Sequence, residues 1–533
     1  MRTACLLPAA LVLAVAAAAA APASAQTRAG FVMTMGRDTV AVERFERSGA
    51  QVTGVVLFRL AQLRTDYVLE LRDDETVRTL LVDARKATDA PDSPPLQSAT
   101  ASFEDDSVRT EIRNGRREVI ATLPRALPYL NPSMLLFEQI ARRARVVGGA
   151  RAIVPLFMVT GGQTIECLVT RAGADSLVLT LGGLDIRLAV DREGNLLGGA
   201  VPAQGTRFAR VSELPDGALV QAKPDYSAPP GASYTAEEVR VRTRGGFELA
   251  GTLTRPAGAP GRVPAAVTIT GSGSQERDES LPILRGYRPM RQVAESLAAR
   301  GIATLRLDDR GAGASGGSAA RSTTADHADD IEDAVAWLRA RSDIDGDRIA
   351  LVGHSEGGII APMLAARDSR LRAIVLMAGT AERGSRVLDY QRRRAVEKLA
   401  PKGARRDSLM RVVSAGADSL IHSNPWLAWF ADHDPLPVLR NVRQSVLVLQ
   451  GATDRQVTAE QAGGIEKALR AGGNRDVTRR VFADTNHLFV HDPDGSAEGY
   501  SSLPDPNVRP EVLGTLAQWL AERLVPKETP ARR

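Results

Sequence analysis

The chain has 533 residues, of which 44% are hydrophobic and 25% charged, so it is long enough for two or three folded domains with sizeable apolar cores. The net charge of +5 is small for this length, and the basic residues, nearly all arginine, are interleaved with Asp and Glu. This pattern indicates an ordinary solvated surface and argues against nucleic acid as a partner.

The N-terminus has the pattern of an export signal. A short basic start, Met1–Thr3, is followed by the apolar run Leu6–Ala21 and by small residues before Gln26. This arrangement is typical of a secretory signal peptide, here residues 1–25, with cleavage after Ala25. Because no later segment is apolar enough to span a bilayer, we expect a periplasmic or secreted protein without an integral membrane segment once the signal is removed.

The chain contains two cysteines, Cys5 and Cys167. Removal of the signal peptide leaves Cys167 alone, so the mature chain cannot form an internal disulfide. No neighbour in the sequence activates this thiol, and we therefore expect Cys167 to be a buried structural residue.

Residues 26–211 predict a β-rich N-terminal domain. Short alternating runs such as Asp66–Leu71 and Ser176–Leu181 are separated by Gly, Asp and Asn, as expected for antiparallel strands and hairpins. One helix is predicted over Pro132–Arg145. The domain has no histidine and no recognisable chemical motif, so its role stays open between packing and control of substrate access. The Pro-containing residues 212–236 are the predicted linker.

Strands and helices alternate over residues 237–533, which predicts an α/β domain with a mostly parallel sheet flanked by helices. Residues from about 383 to 441 interrupt this alternation with a long helical segment, which we interpret as a lid insertion. An aromatic cluster in this segment either lines an acyl or alcohol pocket or packs the lid onto the core, and the sequence does not distinguish the two. The cluster consists of Trp426, Trp429 and Phe430.

The most informative segment is Gly353–Gly358, which reads Gly-His-Ser-Glu-Gly-Gly. An apolar strand precedes it and a helical segment follows it. A Gly-x-Ser-x-Gly turn in this context is the nucleophile elbow of α/β-hydrolases, in which the central hydroxyl projects above the sheet. The flanking glycines are needed because a Cβ there would collide with the neighbouring strand and helix. Ser355 is therefore the predicted nucleophile.

A serine hydroxyl needs a base to accept its proton, and the base needs a carboxylate to orient it. Asp454 and His487 each follow a late apolar strand, in the chain order of nucleophile, acid and base that this fold uses. The carboxyl ends of parallel strands are where sites form in such sheets. We therefore assign Asp454 as the acid and His487 as the base, with Asp484 and His491 as their nearest competitors.

The tetrahedral intermediate of acyl transfer needs hydrogen-bond donors for its oxyanion. The backbone N–H of Glu356, the residue after the nucleophile, is one predicted donor. The other is expected from the Gly/Ser loop 271–274, where we assign the N–H of Ser272, with Gly273 as the alternative.

A second Gly-rich loop follows Leu307 and reads Asp-Asp-Arg-Gly-Ala-Gly-Ala-Ser-Gly-Gly. It lacks the Lys-Ser/Thr ending of a phosphate-binding loop, so we predict no nucleotide. Arg310 in this loop is expected to form structural ion pairs, with Glu356 or Asp309. No set of His, Cys and carboxylate residues has metal-ligand spacing, and we infer no metal and no cofactor.

From about Glu237 to its end, the chain resembles bacterial α/β-hydrolases of the carboxylesterase type, which are relatives of the prolyl oligopeptidase superfamily. The resemblance is carried, in chain order, by Gly271–Glu279, Asp309–Gly313, Gly353–Gly358, Asp432–Pro435, Gly451–Val457 and Asn486–Phe489. It implies the same nucleophile, acid and base. It does not extend to residues 26–211, which lack the repeated blades of the propeller that the peptidase relatives carry.

We interpret the sequence as an exported serine hydrolase that cleaves small-molecule carboxylic esters through an acyl-enzyme. A serine peptidase of the prolyl oligopeptidase superfamily and a thioesterase or acyltransferase would use the same residues and stay as alternatives. A non-catalytic envelope-binding protein is the alternative from another class, and the complete set of catalytic residues argues against it. The sequence does not give the oligomeric state or the substrate.

Overall fold

The computed structural model describes residues 27–112, 117–159, 162–215, 217–399 and 403–526. The predicted signal peptide, its cleavage site and Cys5 lie outside the described residues. The chain divides into two compact units. Of the described residues, the first comprises 27–33, Ala41–Val201 and Arg207–Gln221, and the second comprises Thr34–Val40, Pro202–Thr206 and those from Ala222 onward. The main division, after Gln221, falls within the predicted linker 212–236.

The N-terminal unit contains one sheet of 15 strands, which confirms the prediction of a β-rich N-terminal region. Strands β1–β15 are, in chain order, Thr27–Met35, Asp38–Ser48, Gln51–Phe58, Leu63–Leu71, Val77–Lys86, Gln97–Phe103, Ser107–Ile112, Arg117–Ala121, Leu127–Tyr129, Arg151–Met158, Thr164–Arg171, Ser176–Leu181, Leu184–Val190, Leu196–Val201 and Thr206–Val211. They are ordered β8-β7-β6-β5-β4-β3-β2-β1-β15-β14-β13-β12-β11-β10-β9. The first and last strands of the unit thus lie side by side in the middle, and β8 and β9 form the two edges.

The alternating sequence pattern places one face of each strand inward. In β13, for example, Ile186, Leu188 and Val190 are buried, while Arg187 and Ala189 between them are exposed. Cys167 on β11 is free and buried, and burial raises the pKa of its thiol to about 12. The thiol therefore stays protonated at neutral pH, as expected for a structural cysteine.

The helix predicted over 132–145 is α1, Met134–Val147. Its first turn is held by the buried carboxylate of Glu43 on β2. This carboxylate accepts the backbone N–H groups of Met134 at 2.6 Å and Leu135 at 3.0 Å, and the Tyr67 hydroxyl donates to it at 2.8 Å. A helix N-terminus favours a negative charge because its first N–H groups have no partner within the helix. Glu43 thereby fixes α1 to the sheet.

The C-terminal unit contains an eight-stranded sheet. Strands β16–β23 are Tyr234–Arg242, Glu248–Pro256, Val263–Ile269, Ala303–Leu307, Ile344–His354, Ala373–Met377, Ser445–Gly451 and Val477–Phe482. They are ordered β16-β17-β19-β18-β20-β21-β22-β23. The pairs β16–β17 and β17–β19 are antiparallel, and all following pairs are parallel. The mostly parallel sheet predicted for this region is therefore present.

Helices cover both faces of this sheet. Helices α2–α10 are Pro289–Ala298, Thr324–Ala340, Gly357–Arg367, Gly384–Leu399, Ala404–Ser423, Pro425–Asp432, Pro435–Leu439, Glu460–Ala471 and Pro510–Leu524. Helices α2 and α10 share one apolar core with the sheet, and α3, α4 and α9 share the other. The central strands are buried on both faces and are rich in apolar residues, and all five residues of β21 are buried. The edge strand β23 instead carries the exposed residues Arg479 and Arg480.

Four helices, α5–α8, lie between β21 and β22, in the stretch where the sequence predicts a helical insertion over 383–441.

Among the described residues, no helix is long and apolar enough to cross a membrane. The described residues also contain no group of three or more His, Cys, Asp or Glu side chains that could hold a metal ion.

Candidate active site

The turn between β20 and α4 holds Ser355. Its φ is +52°, in the left-handed region that costs a non-glycine residue about 1–2 kcal/mol. A Cβ on Gly353 would lie 2.0 Å from the carbonyl oxygen of Gly357, and one on Gly357 would lie 2.3 Å from that of Ile269. Only glycine fits at these two positions, so the turn is as tight as a nucleophile elbow requires.

The loops after β22 and β23 bring Asp454 and His487 together. His487 Nδ1 lies 2.8 Å from Asp454 Oδ2, and both side chains are buried. The other carboxylate oxygen, Oδ1, accepts the backbone N–H groups of Gln456 at 2.8 Å and Val457 at 2.9 Å. These bonds hold the carboxylate in place, and the carboxylate in turn orients the imidazole so that Nε2 is the nitrogen left for proton transfer.

The two competitors lie elsewhere. His491 is exposed and forms an isolated backbone bridge with Thr485. Asp484 is also exposed, and its carbonyl oxygen accepts the N–H of Asp492. Within the described residues, neither side chain is hydrogen-bonded to Asp454 or His487.

The loop that follows β18 lies against the elbow, since a Cβ on Gly271 would be 3.3 Å from Ser355 Cβ. The N–H of Gly271 donates to Glu279 Oε1 at 2.7 Å, so it is already engaged. In the described part of the chain, the backbone N–H groups of Ser272 and Glu356 have no protein acceptor. The two amides assigned to the oxyanion from the sequence are therefore free to donate.

A comparison with protein families finds a match in the C-terminal unit. Residues 287–494 match the family model described as serine aminopeptidase, S33, and this span includes Ser355, Asp454 and His487. The C-terminal unit is an α/β-hydrolase of the serine hydrolase class. The resemblance stated from the sequence motifs is thus confirmed at this level, for the part of the chain that the family model matches.

Several individual proteins are similar to parts of this α/β-hydrolase chain. The polyketide transferase ATR5 of Stachybotrys chlorohalonatus (strain IBT 40285) is 31% identical over 182 residues, which are 34% of this chain and 54% of the relative. The chain thus spans about half the length of this curated relative. The esterase Pf2001 of Pyrococcus furiosus is 17% identical, with a TM-score of 0.40 over 57% of this chain and 98% of its own. Est1E of Butyrivibrio proteoclasticus, solved with ferulic acid, is 16% identical, with a TM-score of 0.36 over 54% and 100%.

The aromatic residues of the helical insertion pack at one small apolar cluster, but their individual contacts differ. The indole Nε1 of Trp426 donates to Glu356 Oε1 at 2.8 Å, beside the nucleophile. Phe430 is buried in an apolar cluster with Ile359 of α4, and it stacks on Trp426 with ring centroids 5.4 Å apart. Trp429 stacks on His433 at 4.5 Å. Of the three residues predicted to bind substrate, Trp426 lies at the elbow and Phe430 packs in the apolar cluster.

Glu356 and Asp309 line a small cavity beside the elbow, together with Thr270, Gly273 and His327. Burial raises the pKa of Glu356, and hydrogen bonds from neighbouring side chains reduce that effect. Burial also raises the pKa of Asp309 well above its usual range, and the nearby Glu356 charge adds to the rise. Both carboxyls thus favour their neutral form more than an exposed acid does.

Arg310 forms a structural ion pair, as expected, but the partners named for it are wrong. Its guanidinium pairs with Asp330 on α3, with Nε 2.7 Å from Oδ2, and not with Glu356 or Asp309. Asp309 instead accepts the N–H of Gln275 at 2.9 Å. The reason is that α3 passes beside the loop after β19, and this proximity cannot be read from residues near Arg310 in the sequence.

Sequence reasoning assigned no role to two buried residues at the elbow, Glu279 and His354. Their side chains are 2.7 Å apart, between His354 Nδ1 and Glu279 Oε1. The sequence signal that could have indicated them is the run of four charged residues, 276–279, which follows closely after the loop 271–274 assigned to the oxyanion (the oxyanion loop). Charged side chains are seldom buried without a partner, but the partner here is 75 residues away in the chain.

Proposed function

We propose that the protein hydrolyses carboxylic esters through an acyl-enzyme, with Ser355 as nucleophile, His487 as general base and Asp454 as the residue that orients the base. The observation that carries this proposal is the 2.8 Å contact of the buried His487–Asp454 pair in the unit whose elbow holds Ser355 at a φ of +52°. A histidine with Nδ1 held by a carboxylate presents Nε2 to a nucleophile.

In the acylation half, Ser355 Oγ attacks the acyl carbon and its proton passes to His487 Nε2. The negative charge that forms on the carbonyl oxygen is stabilised by the free backbone N–H groups of Ser272 and Glu356. Collapse of the tetrahedral intermediate breaks the bond to the alcohol oxygen, and His487 returns the proton to that oxygen. The alcohol leaves and the acyl group stays on Ser355.

In the deacylation half, His487 takes a proton from a water molecule, whose oxygen attacks the acyl carbon. The second tetrahedral intermediate collapses with release of the carboxylic acid, and the proton on His487 returns to Ser355 Oγ. Each half-reaction thus ends with His487 neutral again, and Ser355 Oγ regains its proton at the end of the second.

Helices α5–α8 are proposed to form a lid over this site. Trp426 supports this role because its hydrogen bond to Glu356 brings α7 to the residue next to the nucleophile. Trp426 and Trp429 are half-buried and have an apolar surface to offer an acyl or alcohol group. Phe430 contributes by holding the helix in place.

Two further activities use the same groups. A peptidase activity is favoured by the description of the matched family model, and an acyl transfer activity by the name of the 31% identical relative. Each differs from ester hydrolysis only in the leaving group or the acceptor of the acyl group.

Export to the periplasm or medium is also proposed, on the pattern of residues 1–25. N-terminal sequencing of the exported protein tests it, with Gln26 as the expected first residue.

The experiment that tests the proposed function compares the wild type with Ser355→Ala on p-nitrophenyl esters of increasing acyl length and on aminoacyl p-nitroanilides. We expect ester turnover that is lost in Ser355→Ala, with the anilides inert. Turnover of the anilides would assign the protein to the peptidases. Inertness of the wild type on both panels would contradict the proposal.

A further inference from the structure

Four consecutive charged residues after the oxyanion loop, 276–279, are all buried. Arg277 pairs with Asp308, with Nε 3.0 Å from Oδ1, and Asp278 accepts Arg288 Nε at 2.7 Å. These two residues anchor the segment within the domain, away from the elbow. Glu279 points in a different direction and contacts the elbow itself.

Glu279 Oε1 makes two contacts. It accepts the backbone N–H of Gly271 at 2.7 Å and lies 2.7 Å from Nδ1 of His354. The other oxygen, Oε2, is buried and has no hydrogen-bond partner among the described residues. The φ of Glu279 is +57°, a conformation that non-glycine residues rarely adopt. A strained backbone and an unpaired buried oxygen both cost stability, which points to a use for this residue beyond packing.

The second nitrogen of His354, Nε2, lies 3.0 Å from the backbone carbonyl oxygen of His487. A carbonyl oxygen only accepts, so Nε2 carries a proton, and a second proton lies between Nδ1 and the Glu279 carboxylate. Burial alone would lower the pKa of His354, but the Glu279 charge and the two hydrogen bonds outweigh it and the pKa is raised. The Glu279 carboxylate thus favours the form of His354 in which both ring nitrogens are donors.

These contacts connect the three loops of the site. Gly271 belongs to the oxyanion loop, His354 precedes the nucleophile, and His487 is the base. We propose that Glu279 and His354 are positioning residues, forming a second carboxylate–histidine pair that fixes the backbone of His487 and of the oxyanion loop relative to Ser355. This inference rests on the proposed function of Ser355 and His487, and it concerns residues that contact neither the substrate nor the reacting atoms.

Two replacements of His354 distinguish the effect of its contact with the His487 carbonyl from that of its contact with Glu279. In His354→Gln, the amide nitrogen can occupy the place of Nε2 and donate to the His487 carbonyl. In His354→Asn, the amide reaches only the place of Nδ1, so the bond to Glu279 can persist while the bond to His487 is lost. If the bond to His487 positions the base, His354→Gln should keep at least tenfold more kcat than His354→Asn. We expect His354→Asn to lose about 100-fold in kcat, with KM within twofold of wild type.

Glu279→Gln provides a second variant, with Asp278→Asn as the matched control. The glutamine has nearly the same shape, but it cannot stabilise a positive charge on His354. A neutral His354 has a single N–H, which cannot be donated both to the oxygen of residue 279 and to the His487 carbonyl. Asp278→Asn removes buried charge from the adjacent residue without touching the elbow. We expect Glu279→Gln to lower kcat by tenfold or more at unchanged KM, and Asp278→Asn to lower the melting temperature while kcat stays within threefold of wild type.

The outcomes distinguish this inference from the proposed function. If wild type turns over p-nitrophenyl butyrate and Ser355→Ala does not, but His354→Gln and His354→Asn have equal kcat, the positioning role is wrong and the proposed function stands. Equal kcat losses in Glu279→Gln and Asp278→Asn at equal melting temperatures would also overturn it, because the effect would then be general destabilisation. If His354→Asn does not fold, the comparison of Glu279→Gln with Asp278→Asn in kcat and melting temperature tests the positioning role. Loss of the proposed function would instead appear as an inactive wild type or an active Ser355→Ala.

Discussion

Asp454 Oδ2 and His487 Nδ1 are 2.8 Å apart, although another aspartate, Asp484, lies only three residues before His487 in the chain. Asp484 is exposed, whereas Asp454 is 3% exposed and its second oxygen accepts two backbone N–H groups. The proposed acid thus comes from the neighbouring strand end, where a carboxylate can be held in a fixed orientation.

Replacing Asp454 by Asn should leave the fold intact and lower kcat by about 10,000-fold, because the amide favours the wrong tautomer of His487. Asp484→Asn is the control, and its kcat for p-nitrophenyl esters should stay within twofold of wild type. Steady-state kinetics with circular dichroism for both variants provide the measurement. A larger loss in Asp484→Asn than in Asp454→Asn would exchange the roles of the two residues.

The elbow should not tolerate a side chain at Gly353. A Cβ there would lie 2.0 Å from a carbonyl oxygen, so Gly353→Ala should lower the free energy of unfolding by about 3 kcal/mol or more, or give insoluble protein. Gly463 on α9 has open space around its Cβ position, and Gly463→Ala should raise stability by about 0.5–1 kcal/mol. Urea denaturation of both variants tests the contrast, and similar midpoints for the two would contradict it.

The hydrogen bond from Trp426 to Glu356 should contribute to stability. Trp426→Phe keeps an aromatic ring but leaves the buried Glu356 oxygen without this donor, which should cost about 1–3 kcal/mol in the free energy of unfolding. Trp429→Phe removes an indole N–H for which the described residues offer no acceptor, and should cost less. Thermal unfolding of the two variants provides the comparison, and an equal loss in both would show that ring size alone is responsible.

Stability should depend on pH through His327. Burial, and secondarily the positive charge of Arg310, lowers the pKa of His327 from 6.5 to about 4. The unfolded chain therefore binds a proton more readily between pH 6.5 and pH 4, and stability is lost as the pH falls through this window. At pH 5 the loss should be on the order of 2 kcal/mol relative to pH 7.

His327→Gln removes this titration, so its free energy of unfolding should fall less than that of wild type between pH 7 and pH 5. Chemical denaturation of both proteins at the two pH values measures the difference. Parallel losses in the two proteins would mean that His327 is not the group responsible.

Local sequence patterns predict the parts of this site that depend on short-range geometry. The Gly-x-Ser-x-Gly turn needs only its own glycines and the flanking strand and helix, and apolar runs before Asp454 and His487 locate the strand ends. The partner of Arg310 and the Glu279–His354 pair could not be predicted in this way. Both are contacts between elements far apart in the chain, and their existence depends on which loops the sheet order brings together.

The strand order of the N-terminal unit has a consequence for its shape. The edge strands β8 and β9 are connected by residues 122–126 alone, a span of at most about 21 Å. If the 15 strands lay flat, those edges would be about 67 Å apart. The sheet must therefore curl until its two edges approach each other, with α1 packed on β9, β10 and β14 and bonded through Glu43 to β2. A proteolytic cut within 122–126 would free both edges at once, exposing two unpaired rows of backbone groups to other chains.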